Sequence, residues 1–241
     1  MIYVTMPAYR EKETPLRELV QRLRIATANL DVKFVLIDDG NGSDTQYFDE
    51  IADIVIRHGK NKGYTAAILS GFNTALNDPA CEAVLTIDSD GQHFPERIPS
   101  LIEAYHSGNS DIVLASRYYS EPYIVTGILD DERIAVRGKV VEKLAEYGVN
   151  ISDPFTGYRL FSRHASKVLM AELQDHAFAN EYDITLELIL KLHTLGLNWT
   201  EVPCELHYSE LKRFPGKMEN PDWRLQHYFK MIERVLEPIN V

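Results

Sequence analysis

The chain has 241 residues, and its 25 Lys and Arg against 36 Asp and Glu give a formal net charge of −11. This length fits one large domain or two small ones with a substantial core. The acidic balance argues against broad nucleic-acid binding, because proteins of that class neutralise phosphates with basic patches. Cys81 and Cys204 lie far apart in the sequence and indicate neither a metal site nor a disulfide framework, so we expect a reducing, cytoplasmic location. No window approaches the roughly 20 apolar residues that span a bilayer.

The first half of the chain alternates short apolar runs with helical patterns. Strands are predicted over 2–6, 33–37, 52–57, 83–87 and 111–116, and helices over 14–30, 64–76 and 95–108. Short strands that are apolar on both faces and separated by helices indicate an open parallel sheet covered on both sides. We therefore predict an α/β fold with a single Rossmann-like, mostly parallel sheet flanked by helices.

The second half has a less regular pattern. Residues 118–131 have no clear period and are long enough to form a loop. A helix is predicted over 132–147, a strand and a helix within 156–170, a helix over 182–195, a strand over 199–208 and a helix from residue 221. The last helix carries an apolar stripe that fits packing on the core or in a homodimer, with membrane contact as the alternative.

Two acid clusters follow predicted strands. Asp38 and Asp39 end the second strand, and Asp88 and Asp90 end the fourth. In open parallel sheets ligands bind beyond the carboxyl ends of the strands, so both clusters belong at the expected binding edge. Two neighbouring carboxylates repel each other unless a positive charge is held there, and a hard divalent cation such as Mg²⁺ suits them. The alternative is that these acids are ordinary turn residues.

Several segments in register resemble glycosyltransferase family 2, and within it the polyprenyl-phosphate (dolichyl-phosphate) sugar synthases. The matching segments are MPAYREKE (6–13), LIDDGNGSDT (36–45), NKGYTAAILSGFNTAL (61–76), LTIDSDGQHFPERIPSLI (85–102), IVLASRY (112–118), RIAVRG (133–138) and SDPFTGYRLFSR (152–163). This resemblance implies the GT-A fold. It also implies a glycosyltransferase domain over 1–210, with a nucleotide-sugar-binding half (1–117) and an acceptor half (118–210). A basic lid and an amphipathic helix would follow over 211–241.

The resemblance also implies roles for individual residues. The nucleotide-sugar and its diphosphate would be bound by Pro7, Tyr9, Glu11, Ile37, Asp39, Asp88, Ser89, Gln92, Arg213 and Lys217. Asp90, together with Asp88, would bind Mg²⁺ or Mn²⁺, and Arg213 and Lys217 would form the lid. Arg10 departs from the family pattern, because it stands where the family usually has Asn.

The transfer step itself would involve Arg117, facing the diphosphate or the acceptor's phosphate. A lipid phosphate is already ionised and attacks without a base, whereas a sugar hydroxyl needs one. Asp153 is the first candidate base, followed by Glu181 and Asp183. The last two also fit the ordinary preference for acids at a helix N-terminus.

The sequence thus predicts an inverting, metal-dependent glycosyltransferase with a nucleoside-diphosphate sugar as donor. Its acceptor would be a polyprenyl phosphate or a glycan, reached as a peripheral protein on the inner face of the membrane or through a membrane partner. One alternative is a sugar-phosphate nucleotidyltransferase, but MPAYREKE lacks the glycine-rich loop of that class. Another is a non-catalytic nucleotide-sugar-binding protein, against which Asp88, Asp90 and Arg117 argue.

Overall fold

The strands and helices of the computed structural model follow the predicted alternation, and the structure describes residues 1–42, 45–119, 125–127, 131–173, 184–208 and 219–237. The strands are β1 (Ile2–Ala8), β2 (Val32–Asp38), β3 (Ile54–Arg57), β4 (Ala83–Thr86), β5 (Ile112–Ser116), β6 (Val125–Gly127), β7 (Arg159–Ser162), β8 (Trp199–Pro203) and β9 (Leu206–Tyr208). The helices are α1 (Glu13–Ala26), α2 (Phe48–Ile51), α3 (Tyr64–Leu76), α4 (Ile98–Ser107), α5 (Asp131–Glu146), α6 (Arg163–Leu173), α7 (Ile184–Thr194) and α8 (Pro221–Leu236), and a 3₁₀ turn precedes α4.

The main sheet has seven strands in the order β3-β2-β1-β4-β7-β5-β8. Its strands pair in parallel except at β7, which is antiparallel to both of its neighbours, β4 and β5. The predicted mostly parallel α/β sheet is therefore confirmed. Because β7 runs the other way, its first residue, Arg159, pairs with Thr86 at the end of β4. The segment just before β7 consequently lies at the same edge as the carboxyl ends of β1, β2, β4 and β5.

The core lies on both faces of this sheet. Along β1, Tyr3 belongs to the cluster on the face of α3, α5, α6, α7 and α8, whereas Val4 belongs to the cluster on the face of α1 and α4. The close approach of α3 depends on Gly71, where an added Cβ would lie 2.9 Å from the side chain of Thr5. Ala67, Gly71 and Ala75 recur every four residues along α3, a small-residue stripe whose spacing predicts close packing, and all three are buried.

Some predicted boundaries shift. The first helix ends at Ala26 instead of residue 30. The strand predicted over 199–208 is interrupted at Cys204 and Glu205, where Glu205 turns to form an ion pair with Arg97. The helix α8 packs against α5 and α7 with Tyr228 buried, in line with the core-packing interpretation. Within the residues that the structure describes, no helix has both the length and the apolar character needed to cross a membrane.

Candidate active site

A cavity of about 660 Å³ opens at the carboxyl edge of the sheet. Most of the predicted site residues line it, namely Pro7, Tyr9, Glu11, Asp39, Asp88, Ser89, Asp90, Gln92 and Arg117. The structure therefore brings together residues from the ends of β1, β2, β4 and β5, as expected for an open α/β sheet. The predicted residues Glu181, Asp183, Arg213 and Lys217 lie outside the described part of the chain.

Ile37 does not line this cavity. Its side chain is fully buried in the core, and a Cβ added to Gly71 would lie 3.4 Å from its Cδ1. Side chains alternate along a strand, so the residue before the terminal acids of β2 faces α3. The side chain of Ile37 thus faces the core instead of the cavity, and the predicted contact of this residue with the nucleotide stays a prediction.

The first acid cluster organises the loops beside the cavity. Asp38 accepts hydrogen bonds from the hydroxyl of Thr45 (2.6 Å) and from the backbone N–H of Asn41 (2.9 Å). Asp39 accepts from the backbone N–H groups of Lys62 and Gly63, each at 2.9 Å. Both carboxylates therefore hold the backbone of the loops that follow β2 and β3.

A buried histidine contacts the carboxylate of Asp39. The Nδ1 atom of His58 lies 2.6 Å from Asp39 Oδ1, and its Nε2 lies 2.9 Å from the Ser70 hydroxyl. The side chain of Asn61 donates to the other oxygen of Asp39 at 3.0 Å. These partners fix the carboxylate to which the family resemblance gives a role in nucleotide-sugar binding. The sequence pattern alone does not reveal His58.

The second acid cluster presents carboxylates to the cavity. Asp88 accepts from the hydroxyl of Tyr64 at 3.1 Å, while Asp90 accepts from the backbone N–H of Gln92 at 3.0 Å. Burial, followed by the charge of Asp88, raises the pKa of Tyr64 well above its ordinary value, so the hydroxyl keeps its proton and donates it. The Ser89 hydroxyl donates to the Pro7 carbonyl (2.5 Å), which fixes the turn against β1.

These carboxylates suit a hard divalent cation. Across the described ranges, no three His, Cys, Asp or Glu side chains are grouped closely enough to hold a metal by themselves. Mg²⁺ usually takes one or two protein carboxylates and completes its shell with water and substrate phosphate. Asp88 and Asp90, both facing a cavity large enough for a nucleotide, therefore fit Mg²⁺ or Mn²⁺.

A buried arginine, Arg159, lies close enough to the acids for its charge to interact with them. Arg159 is 1% exposed, and its guanidinium donates to the carbonyls of Thr185 (2.8 Å) and Pro154 (2.9 Å). Burial lowers its pKa to about 10, and the nearby charges of Asp153 and Asp88 oppose that shift. Arg159 is thus charged at neutral pH and offsets part of the repulsion within the acid cluster. No local sequence pattern indicates this role, because it depends on the antiparallel insertion of β7.

Arg117 is held by Asp153. The carboxylate of Asp153 is fully buried and accepts from the Arg117 backbone N–H (3.1 Å), Nε (2.6 Å) and Nη2 (2.6 Å). Burial alone would raise the pKa of Asp153, but the charge and hydrogen bonds of Arg117 outweigh it and lower the pKa. Asp153 does not line the cavity, whereas Arg117 does. This geometry disfavours Asp153 as the general base and makes it a support for Arg117.

More arginines line the side of the cavity formed by α5 and α8. They are Arg133 and Arg137 of α5 and Arg224 of α8. Arg137 lies over the ring of Tyr118 at 4.3 Å, and Arg224, which is 2% exposed, pairs with Glu132 at 2.9 Å. Together with Arg117 they form the arginine wall, defined here as Arg117, Arg133, Arg137 and Arg224. The sequence signal that could have indicated this wall is the spacing of Arg133 and Arg137, which lie one helical turn apart.

The turn after β1 is strained at Arg10. Its φ of 62° is the left-handed conformation, which costs most L-residues about 1–2 kcal/mol but is tolerated by Asn. We expect Arg10→Asn to raise the free energy of unfolding by about 0.5–1 kcal/mol, measured by urea denaturation. The matched variant Arg10→Ala keeps the strain and should give no gain. A destabilised Asn variant would show that the Arg10 side chain, over the Tyr9 ring at 4.9 Å, outweighs the strain.

Gly157 lets the segment before β7 approach the acids. A Cβ added there would lie 2.8 Å from the hydroxyl of Tyr64 and 3.3 Å from Asp88 Oδ1. We expect Gly157→Ala to displace Asp88 and lower kcat by about 10- to 100-fold, since misplacing a reacting group by 1 Å can cost that much. Steady-state kinetics would measure this. Gly138→Ala is the control, because its added Cβ meets no atom within 4 Å. Equal rates for both variants would contradict the expected role of Asp88.

Sequence comparison identifies the family. The family model described as "Glycosyl transferase family 2" matches residues 3–169, which is more than half of the chain. This chain belongs to glycosyltransferase family 2. It is a glycosyltransferase, and the resemblance predicted from its motifs is confirmed.

Curated relatives of this glycosyltransferase carry names of lipid-phosphate enzymes. The UDP-N-acetylglucosamine–dolichyl-phosphate N-acetylglucosaminyltransferase of Methanococcus voltae is 26% identical, over 90% of this chain and 89% of the relative. The dolichol-phosphate mannosyltransferase of Pyrococcus furiosus is 31% identical, over 79% of this chain and 52% of the relative.

A solved structure supports the fold. Glucosyl-3-phosphoglycerate synthase from Mycobacterium tuberculosis, in complex with Mn²⁺, UDP-glucose and phosphoglyceric acid, superposes with a TM-score of 0.66. It is 18% identical, and the match covers 99% of this chain and 81% of that one. At this identity the likeness establishes the fold, and the predicted GT-A architecture is confirmed.

Proposed function

We propose that this family 2 glycosyltransferase moves a sugar from a nucleoside-diphosphate sugar to the phosphate of a polyprenyl phosphate. The observation that supports this most strongly is that carboxylates and arginines line the same cavity. Asp88 and Asp90 enter it from the end of β4, and the arginine wall enters it from the end of β5 and from α5 and α8. The names of the curated relatives point to the same class of acceptor.

The acids and the arginines have different tasks. Asp88 and Asp90 would hold Mg²⁺ or Mn²⁺, which when bound stabilises the negative charge of the departing diphosphate. Tyr64 holds Asp88 in place through its hydroxyl. The loops fixed by Asp39 flank the cavity and would receive the nucleotide.

The arginine wall favours an acceptor that carries a phosphate. Arginine binds phosphate oxygens with two parallel N–H donors, and a dry site strengthens such pairs. Among the lining residues that the structure describes, the side formed by α5 and α8 contributes arginines and no carboxylate. A phosphate acceptor needs no proton removed, so this composition suits it better than a sugar hydroxyl, which needs a base.

The bond changes follow from this arrangement. A phosphate oxygen of the acceptor forms a bond to the anomeric carbon. The bond from that carbon to the donor diphosphate breaks, and the nucleoside diphosphate leaves with the electron pair of that bond. Attack from the face opposite the leaving group inverts the anomeric configuration. Preorganised cations around both phosphate groups stabilise the charge that shifts between them.

Polyprenyl phosphates reside in membranes, so this protein would meet its acceptor at a membrane surface, on the inner face where nucleotide-sugars are available. The exposed Tyr119 follows the wall residue Arg117 and the buried Tyr118 at the end of β5. Aromatic side chains are common where proteins contact the headgroup region. Binding to vesicles that contain a polyprenyl phosphate would test this part of the proposal.

The experiment that tests the reaction uses a panel of nucleotide-sugars with Mn²⁺ and a short-chain prenyl phosphate. We expect acceptor-dependent release of nucleoside diphosphate and transfer of labelled sugar into the organic phase. The corresponding prenol, which lacks the phosphate, is the matched control and should give no product. Transfer to a sugar hydroxyl but not to the prenyl phosphate would contradict the proposed acceptor. Pyrophosphate release from a nucleoside triphosphate and a sugar phosphate would contradict the reaction.

A further inference from the structure

One short turn holds two residues of the arginine wall. The carboxylate of Asp153 accepts from the backbone and guanidinium of Arg117. The carbonyl of the preceding residue, Ser152, accepts from Arg137 Nη1 at 3.1 Å. Arg117 follows β5 and Arg137 belongs to α5, so this turn couples the positions of two cations on separate elements.

Glu201 of β8, which does not line the cavity, binds this turn. Its carboxylate accepts from the Ser152 N–H at 2.9 and 3.0 Å, from the Ser152 hydroxyl at 2.8 Å and from the Asp153 N–H at 3.2 Å. The Ser152 hydroxyl also lies 2.6 Å from that of Ser116, at the end of β5. Glu201 is itself fixed by the β5–β8 pairing, where it is opposite Leu114.

Placing the carboxylate of Glu201 beside that of Asp153 costs free energy, because the two negative charges repel each other and lose hydration. Burial, more than any other influence, raises the pKa of Glu201, and the charge of the nearby Asp153 adds to the shift. Two carboxylates are thus kept close together in a poorly hydrated place, each satisfied by donors. Glu201 does not line the cavity, so whatever it contributes to the reaction passes through the turn.

We propose that Glu201 is a positioning residue for transfer, clamping the Ser152–Asp153 turn so that Arg117 and Arg137 face the acceptor phosphate. The acceptor role of these arginines rests on the proposed function. Glu201 lies outside residues 3–169, where the family model matches. Through this clamp, β8 would contribute to the acceptor site indirectly, by holding the turn that positions Arg117 and Arg137.

The test is Glu201→Gln, which keeps the size of the side chain but turns one acceptor oxygen into an N–H donor facing the turn. We expect the KM for a short-chain prenyl phosphate to rise about 10- to 100-fold, because small displacements of positioning groups have effects of this size. The KM for the donor should stay within about twofold. Ser152→Ala, which removes only the hydroxyl donor, should give a smaller rise of the same kind.

Glu205→Gln is the matched control. It makes the same substitution four positions along the chain, at a carboxylate that pairs with Arg97 and does not line the cavity. It should leave both KM values unchanged. A Glu201→Gln enzyme with unchanged acceptor KM would overturn the inference, and so would equal rises in the KM values for donor and acceptor, which would indicate a general structural role.

A crystal structure of Glu201→Gln separates this inference from the proposed function. We expect the guanidinium groups of Arg117 and Arg137 to move relative to the wild type, and unmoved groups would overturn the clamp whatever the acceptor is. If the wild-type enzyme transfers no sugar to a prenyl phosphate, the proposed function fails, and the acceptor role of the clamp fails with it. Displaced arginines would then still establish the clamp as a structural fact.

Discussion

Asp90→Ala is expected to reduce kcat/KM by about a thousandfold, equivalent to about 4 kcal/mol of transition-state stabilisation. The reason is that Asp90 would be a direct ligand of the cation that neutralises the departing diphosphate. Without it only Asp88 would remain to hold the cation, and the charge of the departing diphosphate would be neutralised less well. Release of nucleoside diphosphate at saturating Mn²⁺ measures the loss, for both acceptor-dependent transfer and slow donor hydrolysis.

The control for this variant is Asp49→Ala. Asp49 is an exposed acid that pairs with Arg57 and does not line the cavity. Its removal should leave the rate unchanged. Chelation of the metal should lower the wild-type rate to the level of Asp90→Ala and have little further effect on the variant. An Asp90→Ala enzyme that keeps more than a tenth of the activity would place the cation elsewhere.

Asp153→Asn is expected to lower the free energy of unfolding by about 3–5 kcal/mol, the usual cost of removing one partner from a buried ion pair. Arg117 would keep its charge in a mostly buried place without a matching carboxylate. Urea denaturation at neutral pH measures this difference. The same substitution should also raise the KM for a prenyl phosphate, because Arg117 loses its support.

This variant also separates two roles for Asp153. A general base contributes about 10²- to 10⁴-fold to kcat, so its loss would lower kcat with little change in stability. A support for Arg117 gives instead a loss of stability and a rise in acceptor KM. A stable Asp153→Asn enzyme with strongly reduced kcat would restore the base role that the sequence first indicated.

The stability that Asp153 contributes depends on pH in a defined direction. Arg117 lowers the folded-state pKa of this carboxylate despite its burial. The contribution is therefore fully present above the unfolded-state pKa of about 3.9 and is lost as pH falls through the lower folded-state value. The difference between wild type and Asp153→Asn should be constant near neutrality and shrink only in strong acid.

The sequence predicted the location of the site because that location follows from topology. Acids at the ends of apolar strands meet at one edge once those strands are parallel, and Asp39, Asp88 and Asp90 all line the cavity. The spacing of Ala67, Gly71 and Ala75 on α3 likewise favours close packing, and in the structure Gly71 leaves no room for a side chain beside Thr5. In both cases the prediction follows from the spacing of residues that are close together in the sequence.

The supports of the site could not be predicted in this way. Arg117 and Asp153 are 36 residues apart, and Glu201 is a further 48 residues beyond Asp153. Their contacts depend on β7 entering the sheet antiparallel and on β8 pairing with β5, and no local periodicity encodes either. The strand pattern also could not show that Ile37 faces the core, because the strand is apolar on both faces.

A crystal structure with Mn²⁺, a nucleoside diphosphate and a short-chain prenyl phosphate would show whether one cavity holds both the metal and the acceptor phosphate. We predict an anomalous manganese peak bound by Asp90 and the diphosphate, with the acceptor phosphate against Arg117 and the α5 side of the cavity. Manganese bound away from Asp88 and Asp90, or an acceptor phosphate outside this cavity, would contradict the account.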